Sequence, residues 1–263
     1  MIKAVSGAIA GVAAAALSLA PLSAEAVTSR CGDTLLYAGK GGQYGTTGEN
    51  TLPKFAGAYS AGFDGVETDV RPTADKDLVM FHDKNLAGLS SNTYGYVDDR
   101  STSYVLSTIL DRGGSIPTYI QFLDQLASRG RYAVVEVKPS IHWTSSLFDT
   151  ALLRPAAARG LLDQIIFDSV TNKYLPMIDA INPAANTAVK GAKARDGYGV
   201  LKTSDSVVTG AGWDASYVSQ VQNAGGDVVL TGTNSGAWAE ALPKGPDGIA
   251  SADARGLLAW CND

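Results

Sequence analysis

The chain has 263 residues, 45% of them hydrophobic, and sets 21 Lys and Arg against 26 Asp and Glu for a formal charge of −5. A mildly acidic chain whose basic residues are scattered lacks the clustered positive face that nucleic acid requires, so no nucleic-acid partner is expected. The length is ample for one large core.

Residues 1–26 read as a secretory signal peptide, with Lys3, an apolar run from Ala4 to Ala20, and a small-residue end at Ala24-Glu25-Ala26. Cleavage would release residues 27–263 as one secreted domain; an uncleaved anchor is the alternative. No later stretch approaches the roughly 18 apolar residues of a membrane span. The two cysteines, Cys31 and Cys261, lie near the two ends of that domain. In an exported protein the simplest expectation is one disulfide joining them, with two free thiols as the alternative.

Short apolar runs recur at 34–38, 65–70, 78–81, 132–137, 165–170, 187–189, 199–201, 227–230 and 248–250. Helical patterns fall between many of them, at 51–61, 118–128, 143–159, 172–181, 216–224 and 236–242. Strands alternating with helices imply a parallel sheet. About eight such units fit an α/β fold of the closed (β/α)8 TIM barrel type better than an open doubly wound sheet. Gly39-Lys40-Gly41-Gly42 lacks the spacing of a dinucleotide-binding loop. Residues 84–116, rich in Ser, Thr, Gly, Tyr and Asp, read as a long excursion that would form a lid or substrate wall on the catalytic face. Tyr94 and Tyr96 within it could stack on a ligand, whereas Trp143, Trp213 and Trp238 read as packing residues.

The chemistry concentrates in Gly65 to Asp83. Glu67 and Asp69 are two apart in a strand-like run, so both project to one face while Val66, Thr68 and Val70 take the other. The next run ends in His82-Asp83, groups able to move protons. A third carboxylate, Glu136, shares a strand face with Val134 and Lys138, and Pro139 ends that run. Three carboxylates converging at strand ends repel one another unless protonated or joined by a cation. An all-oxygen set favours Ca²⁺ or Mg²⁺ over Zn²⁺. Lys138, beside that cation, suits a phosphate oxygen.

In order and spacing, Glu49-Asn50-Thr51, Glu67-Thr68-Asp69-Val70, Arg71 to Asp75, His82-Asp83, Glu136-Val137-Lys138 and the late segment Gly245 to Ser251 resemble the glycerophosphodiester phosphodiesterase family. The resemblance covers about 35–260. It implies a barrel that binds one divalent cation through Glu67, Asp69 and Glu136 and hydrolyses a phosphodiester substrate. His82 matches the second of the family's two histidines, as acid/base. Where the family has His-Arg-Gly, this chain has Gly39-Lys40-Gly41, so the first histidine is absent and Lys40 stands for the phosphate-binding arginine, as a point charge without the guanidinium fork. His142, in the loop after Glu136, is the remaining imidazole and a candidate substitute. Hydrolysis of glycerophosphodiesters to glycerol 3-phosphate and an alcohol is the leading expectation. The alternatives are a phospholipase D-type barrel acting on lysophospholipid or sphingomyelin, with peripheral lipid contact, and a catalytically silent barrel that binds phosphate esters.

Overall fold

The computed structural model describes residues 29–42, 47–171, 173–190, 206–210 and 213–263. The expected signal segment and the run at 199–201 lie outside the described residues. Eight parallel strands close on themselves: β1 (Leu35–Gly39), β2 (Gly65–Pro72), β4 (Tyr132–Val137), β5 (Ile165–Ser169), β6 (Asn186–Lys190), β7 (Ser206–Gly210), β8 (Val228–Thr231) and β9 (Gly248–Ser251). Each pairs with the next, and β9 and β2 both pair with β1, so the sheet has no open end there. The fold is the expected (β/α)8 barrel, built of eight parallel strands among the described residues.

Two assignments differ. The run at 78–81 forms β3 (Leu78–Met80), which pairs antiparallel with β2 outside the ring. Only residues 73–77 separate the two strands, too few for the dozen or so that a parallel crossover needs. The barrel strand Ser206–Gly210 takes the place in the count that β3 does not hold; its Ser-Val-Val-Thr-Gly is short and follows a polar stretch, which hid it.

Helices cover the outside. α1 (Leu52–Ala61) starts with a proline in its first turn and stops at Gly62, whose φ of 108° is left-handed. α3 (Tyr119–Arg129) begins with a capping box: the Gln121 backbone N–H donates to Thr118 Oγ1, and the Thr118 backbone N–H donates to Gln121 Oε1. Thr118→Ala should cost about 1 kcal/mol of stability, read as a lower midpoint in urea with unchanged slope. The helical pattern at 143–159 is realised as α4 (Ser145–Leu147), a π-helical stretch Phe148–Leu153, and α5 (Arg154–Ala157). The remaining helices are α6 (Tyr174–Ile181), α7 (Ala215–Asn223), α8 (Ser235–Ala241) and α9 (Ala254–Asn262). No described helix is long and apolar enough to cross a membrane.

Strand parity sorts the apolar residues into two cores. Val66, Val70, Val135 and Phe167 face the helices, and Tyr37, Val134, Ile166, Ala188, Val208, Val229 and Ala250 fill the barrel interior. Tyr37 plugs the amino-terminal end because its neighbour is Gly65, where a Cβ would lie 2.5 Å from the ring. The excursion after β3 carries its own core of Phe81, Leu86, Val97, Val105, Leu110 and Ile116, with one short helix, α2 (Thr102–Leu106). Cys31 and Cys261 are bonded, with Cα atoms 5.2 Å apart, so the segment before β1 is tied to the last turn of α9. The Arg30 backbone N–H donating to the Cys261 carbonyl at 2.7 Å adds a second tie.

Candidate functional site

The period of two that fills the barrel with Val134, Ile166 and Ala188 also decides which polar groups meet. Glu67 and Asp69 continue the inward face of β2, Glu136 that of β4, Asp168 that of β5 and Lys190 that of β6, with Asp69 opposite Glu136 and Glu136 opposite Asp168 in register. Oxygens of Glu67, Asp69 and Glu136 all lie within 4.8 Å of one another. The three carboxylates expected to converge therefore do.

Two ammonium groups lie among them. Lys138 Nζ is 3.0 Å from Asp69 Oδ1 and 2.8 Å from Glu136 Oε1. Lys190 Nζ is 3.0 Å from Glu67 Oε1, 2.5 Å from Glu136 Oε2 and 3.4 Å from Asp168 Oδ2. The other oxygen of Glu67 accepts from the Lys40 backbone N–H at 3.3 Å, and the other oxygen of Asp69 accepts from Asn50 Nδ2 at 2.8 Å. Asn50 is fully buried with φ of 55°, a conformation asparagine tolerates better than most residues. Its carbonyl oxygen accepts from Thr68 Oγ1 at 2.7 Å, which fixes the amide so that it donates to Asp69.

The electrostatics follow from burial set against these cations. Burial drives the Asp69 carboxyl upward, but Lys138, His82 and the Asn50 amide outweigh it and hold the group below the ordinary aspartate range. Glu136 is likewise lowered, because Lys190 and Lys138 together overcome its burial. Glu67 ends up raised: burial and the charges of Asp69 and Glu136 prevail over Lys190. Asp168, completely buried, is pushed up to about 7 by burial despite Lys190, with Glu136, Glu67 and Asp69 adding to the rise.

His82 closes the site at the end of β3. Its Nδ1 is 2.7 Å from Asp83 Oδ1, and its side chain is about one-third exposed. The buried Arg71 fixes its backbone: Nε and Nη2 donate to the His82 carbonyl at 3.0 and 2.7 Å, and Nη1 donates to the Pro139 carbonyl at 3.3 Å. One guanidinium thus joins the segment after β3, which carries His82, to the residues just past β4, the strand that carries Glu136. His142 is engaged elsewhere, with Nε2 2.7 Å from the Asp98 carbonyl in the excursion.

At the β1 rim, Gly39 sits against the end of β9. A Cβ there would lie 3.1 Å from the Ser251 carbonyl and from the Ala252 nitrogen, so the backbone has closed to within a glycine's width. Lys40 has φ of 51°, and its Nζ lies 3.4 Å from Glu49 Oε1. A cavity of about 480 Å³ is bounded by Lys40, Glu67, Lys190 and Ser251, and an adjoining one of about 410 Å³ by Lys40, Lys54, Leu110 and Arg112. Leu89 and Leu110 place the excursion in the wall of the second cavity. Tyr94 and Tyr96 line neither: the Tyr94 hydroxyl donates to the Ser91 carbonyl, and the Tyr96 ring lies under Lys84 Nζ at 4.5 Å. Trp143 packs flat on Phe148 at 4.6 Å between ring centres.

The sequence assigns no role to Asp168 or Lys190, and places Asn50 only within the Glu49-Asn50-Thr51 motif. The signal for the first two was a charged residue at the last inward position of an apolar run, as in Ile165-Ile166-Phe167-Asp168 and Thr187-Ala188-Val189-Lys190.

The donor set suits a hard divalent cation. Four inward carboxylates face two ammonium groups, so with all four ionised two negative charges are left for a cation to balance, and all the donors are oxygens. Residues that could hold it are Glu67, Asp69 and Glu136.

No curated protein matches the sequence. Among solved structures, a protein from Galdieria sulphuraria assigned as a glycerophosphodiester phosphodiesterase superposes with a TM-score of 0.76 at 17% identity, covering 88% of this chain and 98% of that one. A glycerophosphodiester phosphodiesterase from Parabacteroides distasonis gives 0.71 at 18% identity, covering 86% and 97%. A phosphodiesterase from Oleispira antarctica, solved with its product sn-glycerol-3-phosphate, gives 0.67 at 20% identity, covering 87% and 97%. At such identities the structural likeness bears on the fold. The family model for glycerophosphoryl diester phosphodiesterases matches residues 38–194, a span that includes Lys40, Glu67, Asp69, His82, Glu136, Lys138 and Lys190. The chain belongs to the glycerophosphoryl diester phosphodiesterase family, a family of phosphodiesterase enzymes.

Proposed function

We propose that this chain hydrolyses glycerophosphodiesters to glycerol 3-phosphate and an alcohol at the carboxyl-terminal mouth of the barrel. The observation that carries the reading is the convergence of Glu67, Asp69 and Glu136 beside His82 on one rim, in a chain of this family. The Oleispira antarctica relative, with sn-glycerol-3-phosphate bound, supports the substrate class. A divalent cation, Ca²⁺ or Mg²⁺, held by the three carboxylates would offset negative charge on the phosphoryl oxygens.

The side chains divide the remaining work. With Nδ1 held by Asp83, His82 keeps Nε2 as the nitrogen that hands a proton to the alcohol oxygen leaving phosphorus. Lys40, at the border of both cavities, meets a phosphate oxygen as a point charge. Lys138 is committed to Asp69 and Glu136, so its part is to hold those two carboxylates in place. Asn50 does the same for Asp69. Glycine at 39 leaves His82 as the single imidazole at the site among the described residues, and this favours a second reading: a barrel that binds phosphate esters without turning them over. The leader-like residues 1–26 and the Cys31–Cys261 bond support secretion.

Purified protein incubated with glycerophosphocholine or glycerophosphoethanolamine and Mg²⁺ or Ca²⁺ should release glycerol 3-phosphate, and a chelator should suppress the release. No release above a protein-free blank from any diester rejects the hydrolase. A melting temperature that responds to chelator without any turnover selects the binding reading. Cleavage of lysophosphatidylcholine alone selects the phospholipase D-type alternative.

A further inference from the structure

Lys190 contributes something that the reaction itself does not require. Its ammonium lies against Glu67 and Glu136, two of the three carboxylates that could hold a cation. A divalent ion drawing on those two carboxylates would lie beside that ammonium, where like charges in a partly desolvated site repel strongly. Both cannot occupy the same oxygens.

Asp168 gives the ammonium somewhere to go. It is completely buried, neither of its oxygens has a hydrogen-bond partner, and the nearer one is already 3.4 Å from Lys190 Nζ. A buried carboxyl whose one ion pair is long and makes no hydrogen bond is costly, and a closer, hydrogen-bonded pair reduces the cost. Lysine's four-carbon stem can swing a short distance, and the Lys190 side chain is about one-fifth exposed at the cavity that Glu67 also lines. Lys138 has no such choice, since it is buried between Asp69 and Glu136.

We propose that Lys190 is a displaceable internal cation: its ammonium neutralises Glu67 and Glu136 until a divalent ion arrives, then withdraws onto Asp168. The ligand cage stays assembled in the absence of metal, and metal binding is an exchange of one cation for another. The inference rests on the reading that Glu67, Asp69 and Glu136 take a divalent cation.

Calorimetric titration of chelator-stripped, dialysed protein with MgCl₂ or CaCl₂ alone tests it. Lys190→Met should bind the ion at least about tenfold more tightly than wild type, because no ammonium has to leave. Asp168→Asn should bind it more weakly than wild type, and in the Lys190→Met background that second substitution should lose most of its effect. Should Lys190→Met fold poorly, Lys190→Gln serves in its place. Equal or weaker binding by the Lys190 variant overturns the proposal, as does an Asp168→Asn effect of the same size in both backgrounds or the absence of binding in every variant. Wild-type turnover that a chelator abolishes, together with no tightening in Lys190→Met, rejects this inference alone. Turnover indifferent to chelator rejects the metal reading beneath it.

Discussion

His82→Ala should lower kcat for glycerophosphocholine by about 10²- to 10⁴-fold, the usual contribution of a positioned acid or base. The expectation rests on how tightly this imidazole is placed. Asp83 fixes Nδ1 at 2.7 Å, and Arg71 holds the backbone carbonyl with two hydrogen bonds. The other imidazole, His142, already meets the Asp98 carbonyl at 2.7 Å through Nε2, so it cannot take over without breaking that contact. Steady-state kinetics on wild type and variant, with matched thermal melts, give the answer. A drop of less than about threefold would show that the proton is handled elsewhere.

Lys138→Met should destabilise the metal-free protein by about 3–5 kcal/mol, the usual cost of removing one partner from a buried ion pair. Asp69 is completely buried and Glu136 nearly so, and each has Lys138 within 3.0 Å. Truncating the ammonium leaves Asp69 with the Asn50 amide as its side-chain hydrogen-bond donor and Glu136 with Lys190 as its ion-pair partner. The contrast is Lys40→Met, which breaks a partly exposed pair 3.4 Å long and should cost about 1 kcal/mol or less. Urea unfolding in chelator measures both. If the Lys138 variant loses no more than the Lys40 variant, the buried pairing is not what holds the mouth of the barrel together.

These two sites also show what a sequence can convey. Glu67, Asp69 and Glu136 were legible because a period of two is a local property of the chain, and so was the pairing of Cys31 with Cys261, given two cysteines at the ends of one domain. Asp168 and Lys190 were not. Each is one charged residue at the end of an apolar run, and what gives it meaning is a partner contributed by another strand, brought near only when the ring closes. The same limit applies to Lys138, which the sequence directs toward phosphate and the fold directs toward Asp69 and Glu136. β3 could have been read correctly, since a five-residue connection already forbids a parallel partner. The excursion's separate core could not, because Val97, Val105, Leu110 and Ile116 lie in a stretch dominated by polar residues and turns.

The contact between Gly39 and the Ser251–Ala252 backbone bears on how the sequence can change over time. A histidine introduced at 39 would need the end of β9 to retreat by a few tenths of an ångström before its ring had any useful direction to take. A change at 251 or 252 that opened that space would, for as long as glycine remained at 39, loosen a packed seam. The two positions are therefore coupled across the β1–β9 seam: which side chain fits at 39 depends on where the backbone of 251 and 252 stands.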